Sequence, residues 1–147
     1  MLGSFFSKNK PSVIINCVGL VKQLDLANEP VSALTINSLL PNRLAIICKK
    51  FGARLIHIST DCVFSGSKGN YLEEDFPDAN DLYGRSKLLG EVASSNSITL
   101  RTSIIGHELQ SSHGLVGWFL KQRGEIKGYS KAIFSGLPTC ELARIIR

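Results

Sequence analysis

The 147-residue sequence has no CxxC pair and no Cys/His spacing suited to a zinc site. Its four cysteines, Cys17, Cys48, Cys62 and Cys140, therefore read as buried thiols in a reducing compartment, and the expected location is the cytoplasm. Long apolar runs are missing too. Stretches such as 13–15 and 104–105 are far too short to span a bilayer, so no membrane partner is expected. The first ten residues lack the apolar core of a secretory signal, and their lysines follow their phenylalanines. Basic runs are absent as well. The net charge is +5, but Lys8/Lys10, Lys49/Lys50, Arg85/Lys87 and Lys121/Arg123 are scattered. That pattern is a mildly basic solvated surface, and nucleic acid is not expected as a partner.

What is present is ordinary globular material. Hydrophobic residues make up 44% and charged residues 20%, enough for a sizeable core and too apolar for disorder. At roughly 150 residues per domain, the length is one domain or part of one.

The apolar, β-branched run 12–18 reads as a buried parallel strand. The segment 25–30 reads as a loop or short helix. From Val31 to Phe51 apolar residues recur at helical spacing, and Lys49, Lys50 and Gly52 mark the end. Pro41, inside that span, starts a new helix or kinks one. Residues 53–59 form a second expected strand, 82–94 a helix, 97–105 a third strand and 115–122 a short helix. Residues 125–129 are a candidate fourth strand, and 139–147 begin a last helix. This alternation is the rhythm of a parallel α/β sheet. Ligands collect at the carboxyl ends of such strands, here 16–19, 59–61 and 102–106.

The chemistry-bearing stretch is Ser59-Thr-Asp-Cys-Val-Phe-Ser-Gly66, followed by Tyr83-Gly-Arg-Ser-Lys-Leu-Leu-Gly-Glu91. Tyr83 and Lys87 are four residues apart on one expected helix face. A cation near the phenol would lower its pKa from about 10. Such a tyrosine can pass a proton to a substrate oxygen. Thr60, at a strand end, can place a hydroxyl on the same oxygen. Acid, cation and hydroxyl donor together suit carbonyl reduction, with the hydride supplied by a cofactor. Metal ligands are not expected.

These motifs, with Leu100-Arg-Thr-Ser103, resemble the extended short-chain dehydrogenases/reductases. The similarity is greatest to the dTDP-4-dehydrorhamnose reductase-like sugar-nucleotide enzymes. Val13-Ile-Ile-Asn-Cys-Val-Gly19 is similar to that branch's Val-Asn-Ala-Ala strand. Ile36-Asn-Ser-Leu-Leu-Pro-Asn-Arg-Leu-Ala45 is similar to its Val-Asn-Ala-x-x-Pro-x-x-Leu-Ala helix. The resemblance runs from about Pro11 to Arg147. It implies a Rossmann-like doubly wound parallel sheet, NADPH or NADH as cofactor and a nucleotide-sugar substrate. It also leaves room for a homodimer of the full-length protein.

Carried over by motif, Tyr83 would donate the proton. Lys87 would bind the nicotinamide ribose and tune Tyr83. Thr60 would bind the substrate C4 oxygen, with Asp61 beside it at the sugar. The backbone of Cys17, Val18 and Gly19 would pack along the cofactor. Asn37 would support the site or cap a helix. The segment 128–139 resembles a loop lining the sugar site. His57 reads as a packed strand residue, Trp118 as a packing residue, and His107 and His113, near the substrate side, are not read as ligands. Gly19-Leu-Val-Lys-Gln23 and Cys62 depart from the pattern beside the substrate pocket, which puts the identity of the sugar in question. Lys22 and Gln23 read as a solvated loop.

The resemblance also implies a Gly-rich turn that holds the cofactor pyrophosphate, and no G-x-G-x-x-G precedes Val13. The expectation is a partial Rossmann-like domain over 1–147, carrying the Thr/Tyr/Lys segment. It would lack the N-terminal Gly-rich βαβ and most of the C-terminal substrate domain, whose beginning is placed at about 107–147. As a piece it would be inactive and bind NAD(P)H poorly. It would also be poorly soluble, because the strand 12–18 would be an unpaired edge. Two other readings stand beside the reductase. A sugar-nucleotide epimerase or dehydratase shares Thr/Tyr/Lys, but Asp61 is followed by Cys62, not by the second acid a dehydratase would suggest. A non-catalytic cofactor-binding subunit would have no need of a tuned phenol.

Overall fold

The computed structural model describes every residue except Met1, Gln110, Ser111, His113 and Ser135. It divides into two compact units, Met1–Arg101 and Thr102–Arg147.

The first unit is built on a parallel sheet in the order β1 (Val13–Asn16), β2 (Arg54–Ile58), β3 (Ser97–Leu100). Ile15 is level with Ile56 and Asn16 with His57; on the far side, Ile56 is level with Ile98. β2 is the central strand, and four of its five residues are buried, which is why it reads as an almost unbroken apolar run. Among the described residues β1 pairs with β2 alone, and Val13 and Ile15 stay 45% and 49% exposed. The edge anticipated at residues 12–18 is therefore present.

The Leu55 face of the sheet carries the core. Leu55 packs with Leu44 and Cys48 from helix α3 (Leu40–Phe51), with Ala53 and Val92, and with Phe6. Phe6 comes from α1 (Leu2–Asn9), a helix for which the sequence carried no expectation. Its ring meets Phe51 at 5.6 Å between centroids. Burying that one side chain is worth about 1.5–3 kcal/mol, enough to fix a short terminal helix.

The span expected to be helical from 31 to 51 is helical throughout, but not uniformly. A short α2 (Pro30–Ala33) passes into a π-helical stretch, Leu34–Leu39, which continues into α3. Leu40 N–H bonds Thr35 C=O, the wider ring that defines the bulge. Pro41 follows at once, so the bulge takes up the lost N–H without breaking the helix. Gly52, at φ 70°, closes it. Joined up, Pro30–Phe51 is a 22-residue helix long and apolar enough, by length and composition, to cross a bilayer. The expectation from short apolar runs missed this, because the run is amphipathic and interrupted. Its buried residues, Ala33, Asn37, Ser38, Pro41, Leu44 and Cys48, are used for packing within the first unit.

The second unit departs further. The strand expected over 97–105 is two strands, because β3 stops at Leu100 and β4 (Ile104–Ile105) belongs to a separate pair. Its parallel partner is β5 (Leu137–Pro138). No strand forms at 125–129; Gly124 (φ 72°) turns the chain there, and Glu125 and Lys127 offer nothing to bury. Helices α5 (Leu115–Lys121) and α6 (Thr139–Ile146) complete the unit. The boundary at Thr102 lies five residues before the one expected at 107.

Candidate functional site

The site is organised by helix α4 (Leu82–Leu89). Asp81 caps it: Oδ1 accepts from Gly84 N–H at 2.7 Å, satisfying a donor the first turn would otherwise leave open. Gly84 then lies flat on the preceding loop. A Cβ there would sit 2.4 Å from Cys62 O and 2.6 Å from Ala79 Cβ. The other side of α4 rests on the π stretch through polar contacts. Ser38 Oγ donates to Ser86 C=O at 2.7 Å, Asn37 Nδ2 to Ser86 Oγ at 3.1 Å, and Asn42 Nδ2 to Leu89 C=O at 3.0 Å. Gly90, at the helix end, approaches Asn37 O so closely that a Cβ would come within 1.9 Å of it. The helix bearing Tyr83 and Lys87 is thus located by hydrogen bonds and two glycines, more than by an apolar stripe.

Thr60 follows β2 and is buried. Its Oγ1 accepts from Cys62 N–H at 3.1 Å, capping the short 3-10 turn Asp61–Val63, and its hydroxyl lies 3.4 Å from Asp61 Oδ1. Tyr83 is half-buried beside it. Burial holds the Tyr83 phenol above its ordinary pKa, and the adjacent Thr60 hydroxyl works in the opposite direction. The sequence-based expectation was a phenol lowered by Lys87. The structure corrects it: Lys87 Nζ donates to Ile58 C=O at 2.8 Å, inside the protein, and burial lowers its own pKa. Tyr83 and Lys87 share a helix but not a direct charge contact that outweighs the phenol's desolvation.

Residues 17–19, after β1, run alongside Lys87. A Cβ on Gly19 would fall 3.6 Å from Lys87 Nζ and 3.4 Å from Asn37 Oδ1, an ordinary contact with both, so Gly19 lies directly against these two polar groups. Asn37 holds the next residue from both sides, accepting from Leu20 N–H at 2.8 Å and donating to Leu20 C=O at 3.1 Å. Cys17 and Val18 are exposed. The four cysteines are unpaired, and Cys48 alone is buried.

A cavity of about 370 Å³ opens beside the N-terminus of α4, lined by Lys22, Cys62, Phe64, Ser65 and residues 79–81. Lys22, expected in a solvated loop, reaches Asp81 Oδ2 at 2.9 Å across its rim. Phe64 is held by two contacts, stacked on Tyr71 at 4.4 Å and covered by the Arg101 guanidinium at 5.2 Å. Arg101 in turn forks onto Glu91, with Nη2 to Oε2 at 2.8 Å and Nε to Oε1 at 2.9 Å, while Glu91 also accepts from Ser59 Oγ. These partners were visible in the sequence only as motif letters. Asp81 could have been found from its position one residue before an expected helix. Glu91 and Arg101 carry no local signal that would pair them.

Thr60, Asp61, Tyr83, Lys87 and residues 17–19 all belong to the first unit. The strand end 102–106, His107 and the segment 128–139 belong to the second. His107 and Trp118 are exposed, so Trp118 is not the packed residue expected; His113 lies outside the described residues.

Comparison with known proteins gives a consistent result. A family model described as the RmlD substrate binding domain matches residues 1–127. A dTDP-4-dehydrorhamnose reductase of Streptomyces griseus is 36% identical over 91 residues, covering 61% of this chain and 30% of that protein. The methionine adenosyltransferase 2 subunit beta of Bos taurus is 39% identical over 84 residues, 57% of this chain and 25% of that one. Among solved structures, a dTDP-4-dehydrorhamnose reductase of Bacillus anthracis in complex with NADP superposes with a TM-score of 0.83. It is 28% identical and covers 99% of this chain and 54% of that one. The chain spans about half the length of that solved structure and under a third of the curated relatives.

Proposed function

The chain belongs to the RmlD substrate binding domain family, and from that premise we propose that it carries the proton-transfer side of an NAD(P)H-dependent reductase of a 4-keto sugar nucleotide. The observation that carries the proposal is the grouping of Thr60, Tyr83, Lys87 and Gly19. The NADP complex of the Bacillus anthracis reductase supports the cofactor class.

In reduction, the incoming carbonyl oxygen needs a hydrogen-bond donor and then a proton. A phenol held above its ordinary pKa by burial keeps its proton at neutral pH until the oxygen becomes basic. Tyr83 gives that proton, and Thr60, beside it, steadies the same oxygen. Asp61 stands next in line at the sugar hydroxyls. Reduced nicotinamide would supply the hydride when bound. The residues present fit its ribose end: Lys87 Nζ lies beside Gly19, and Cys17 and Val18, just before it, are exposed. The cavity lined by Lys22 and Cys62 would take part of the sugar nucleotide. The second unit, Thr102–Arg147, would contribute to holding the nucleotide sugar, and the working compartment would be the cytoplasm.

The test is NADPH oxidation by 4-keto sugar nucleotides with the full-length gene product. Tyr83→Phe is expected to lower kcat by about 10²–10⁴. An unchanged rate would remove Tyr83 from the mechanism. A second reading, a non-catalytic subunit, is favoured by the 39% identity to the methionine adenosyltransferase subunit. It predicts cofactor binding with no turnover of any keto sugar.

A further inference from the structure

His57 is completely buried on β2, yet nothing in the proton-transfer scheme uses it. Its Nδ1 lies 3.0 Å from Asn16 Nδ2, directly across the β1–β2 pair. Asn16 Oδ1 lies 3.2 Å from Val18 N. A backbone N–H can only donate, so the oxygen of the Asn16 amide must face Val18 and its NH₂ must face His57. An NH₂ group can only donate, so His57 Nδ1 must be bare. The imidazole is neutral, since burial and the nearby Lys87 charge push its pKa down to about 4. Its proton therefore sits on Nε2, which has no hydrogen-bond partner among the described residues.

A buried N–H without a partner is costly, and a leucine would fill the space without it. What histidine supplies here, and leucine does not, is the acceptor that orients Asn16. The next backbone group along, Leu20, is held separately by Asn37. Residues 17–19 are thus clamped at both ends by asparagines, and the first asparagine takes its orientation from His57.

We propose that His57 is a positioning residue, a fixed Nε2–H tautomer that sets the backbone of residues 17–19 through Asn16. The importance of that segment rests on the cofactor-wall reading above. The test does not, because its readouts need neither cofactor nor substrate; a failed NADPH assay and a failed tautomer assay are separate results.

Imidazole nitrogen NMR on the labelled 147-residue chain reads the tautomer directly at pH 7. A bare Nδ1 with a protonated Nε2 is expected. A protonated Nδ1, or an averaged mixture, overturns the proposal. Amide exchange then reads the consequence. His57→Asn keeps an acceptor near the Nδ1 position and should leave Val18 exchange within about twofold. His57→Leu should speed Val18 exchange at least tenfold while Leu20 stays unchanged. Equal acceleration at both residues would mean that His57 only fills space, and would overturn the proposal. Should His57→Leu fail to fold, Asn16→Asp keeps the acceptor for Val18 but removes the donor to His57. It should move the imidazole proton to Nδ1, and an unmoved proton would count against the mechanism.

Discussion

Replacing Gly90 with alanine adds one methyl group and should cost more than any other glycine-to-alanine change at the C-terminus of a helix in this chain. Gly90 has φ −89° and ψ −7°, an ordinary backbone for any residue, so conformational strain contributes nothing. The whole effect is steric. The new Cβ would lie 1.9 Å from Asn37 O and 2.9 Å from Pro41 Cγ. Reaching an ordinary contact of about 3.5 Å requires α4 and the π stretch to separate by roughly 1.5 Å. Neither side yields easily, because Ser38, Asn37 and Asn42 hold Ser86 and Leu89 by hydrogen bonds that the separation would break. Overpacking costs about 1–3 kcal/mol, and lost buried hydrogen bonds put this case at the upper end, near 3 kcal/mol. At about 4 °C per kcal/mol the melting temperature should fall by roughly 12 °C. Gly3→Ala is the control: nothing lies within 4 Å of its Cβ, and the helix should be unaffected or gain up to about 1 kcal/mol. Urea unfolding of the two variants and the parent measures the contrast. A Gly90→Ala protein within 0.5 kcal/mol of the parent, a threshold set by ordinary surface substitutions (about ±0.5 kcal/mol), would refute the close packing of α4 on Asn37.

Acid should destabilise the protein through His57 before the carboxylates respond. Its folded pKa is about 4 against an ordinary 6.5, so between those values the unfolded chain binds a proton that the folded one refuses. Stability is then full above about pH 6.5 and falls towards pH 4, by about 3 kcal/mol for the 2.5-unit gap; urea midpoints across that window should lose the slope in His57→Asn. Asp75, Asp78 and Asp81 are held below the usual carboxylate range mainly by hydrogen bonds, so their contribution is lost only below about pH 4. Arg101→Lys keeps the charge but neither the fork onto Glu91 nor the cover on Phe64, and should cost about 1–2 kcal/mol with faster proteolysis near Phe64, whereas unchanged proteolysis would show that Arg101 does not order that wall. Ile15→Lys on the β1 edge should raise the solubility limit, measured by light scattering, because a charge on an open edge discourages strand pairing.

Much of this was legible from residue patterns. The strands at 13, 54 and 97 announce themselves as β-branched runs, and the Gly52 stop is where the sequence puts it. Thr60, Tyr83 and Lys87 were singled out by motif, and in the structure the Thr60 hydroxyl lies against the Tyr83 phenol. What was not legible depends on distance along the chain. The Lys87 cation could go to the phenol or to a carbonyl, and only the tertiary fold sends it to Ile58. The 97–105 run looked like one strand because no glycine or proline breaks it; its division follows from the pairing of β4 with β5. The 125–129 strand failed because alternation without a partner does not make a sheet. The π stretch could not be anticipated, although Pro41 hinted that the helix was irregular there.

The pairing of β1 with β2 has a kinetic side. Asn16 and His57 are 41 residues apart, and the step from β2 to β3 is of similar span. Tyr83 and Lys87 can come onto one helix within about a microsecond, but residues 17–19 reach them only when the crossover from β1 to β2 has closed. The site therefore has no local precursor. Assembly of the sheet and assembly of the site are one cooperative event, and any condition that opens β1 from β2 abolishes the site before the helix that carries Tyr83 has begun to melt.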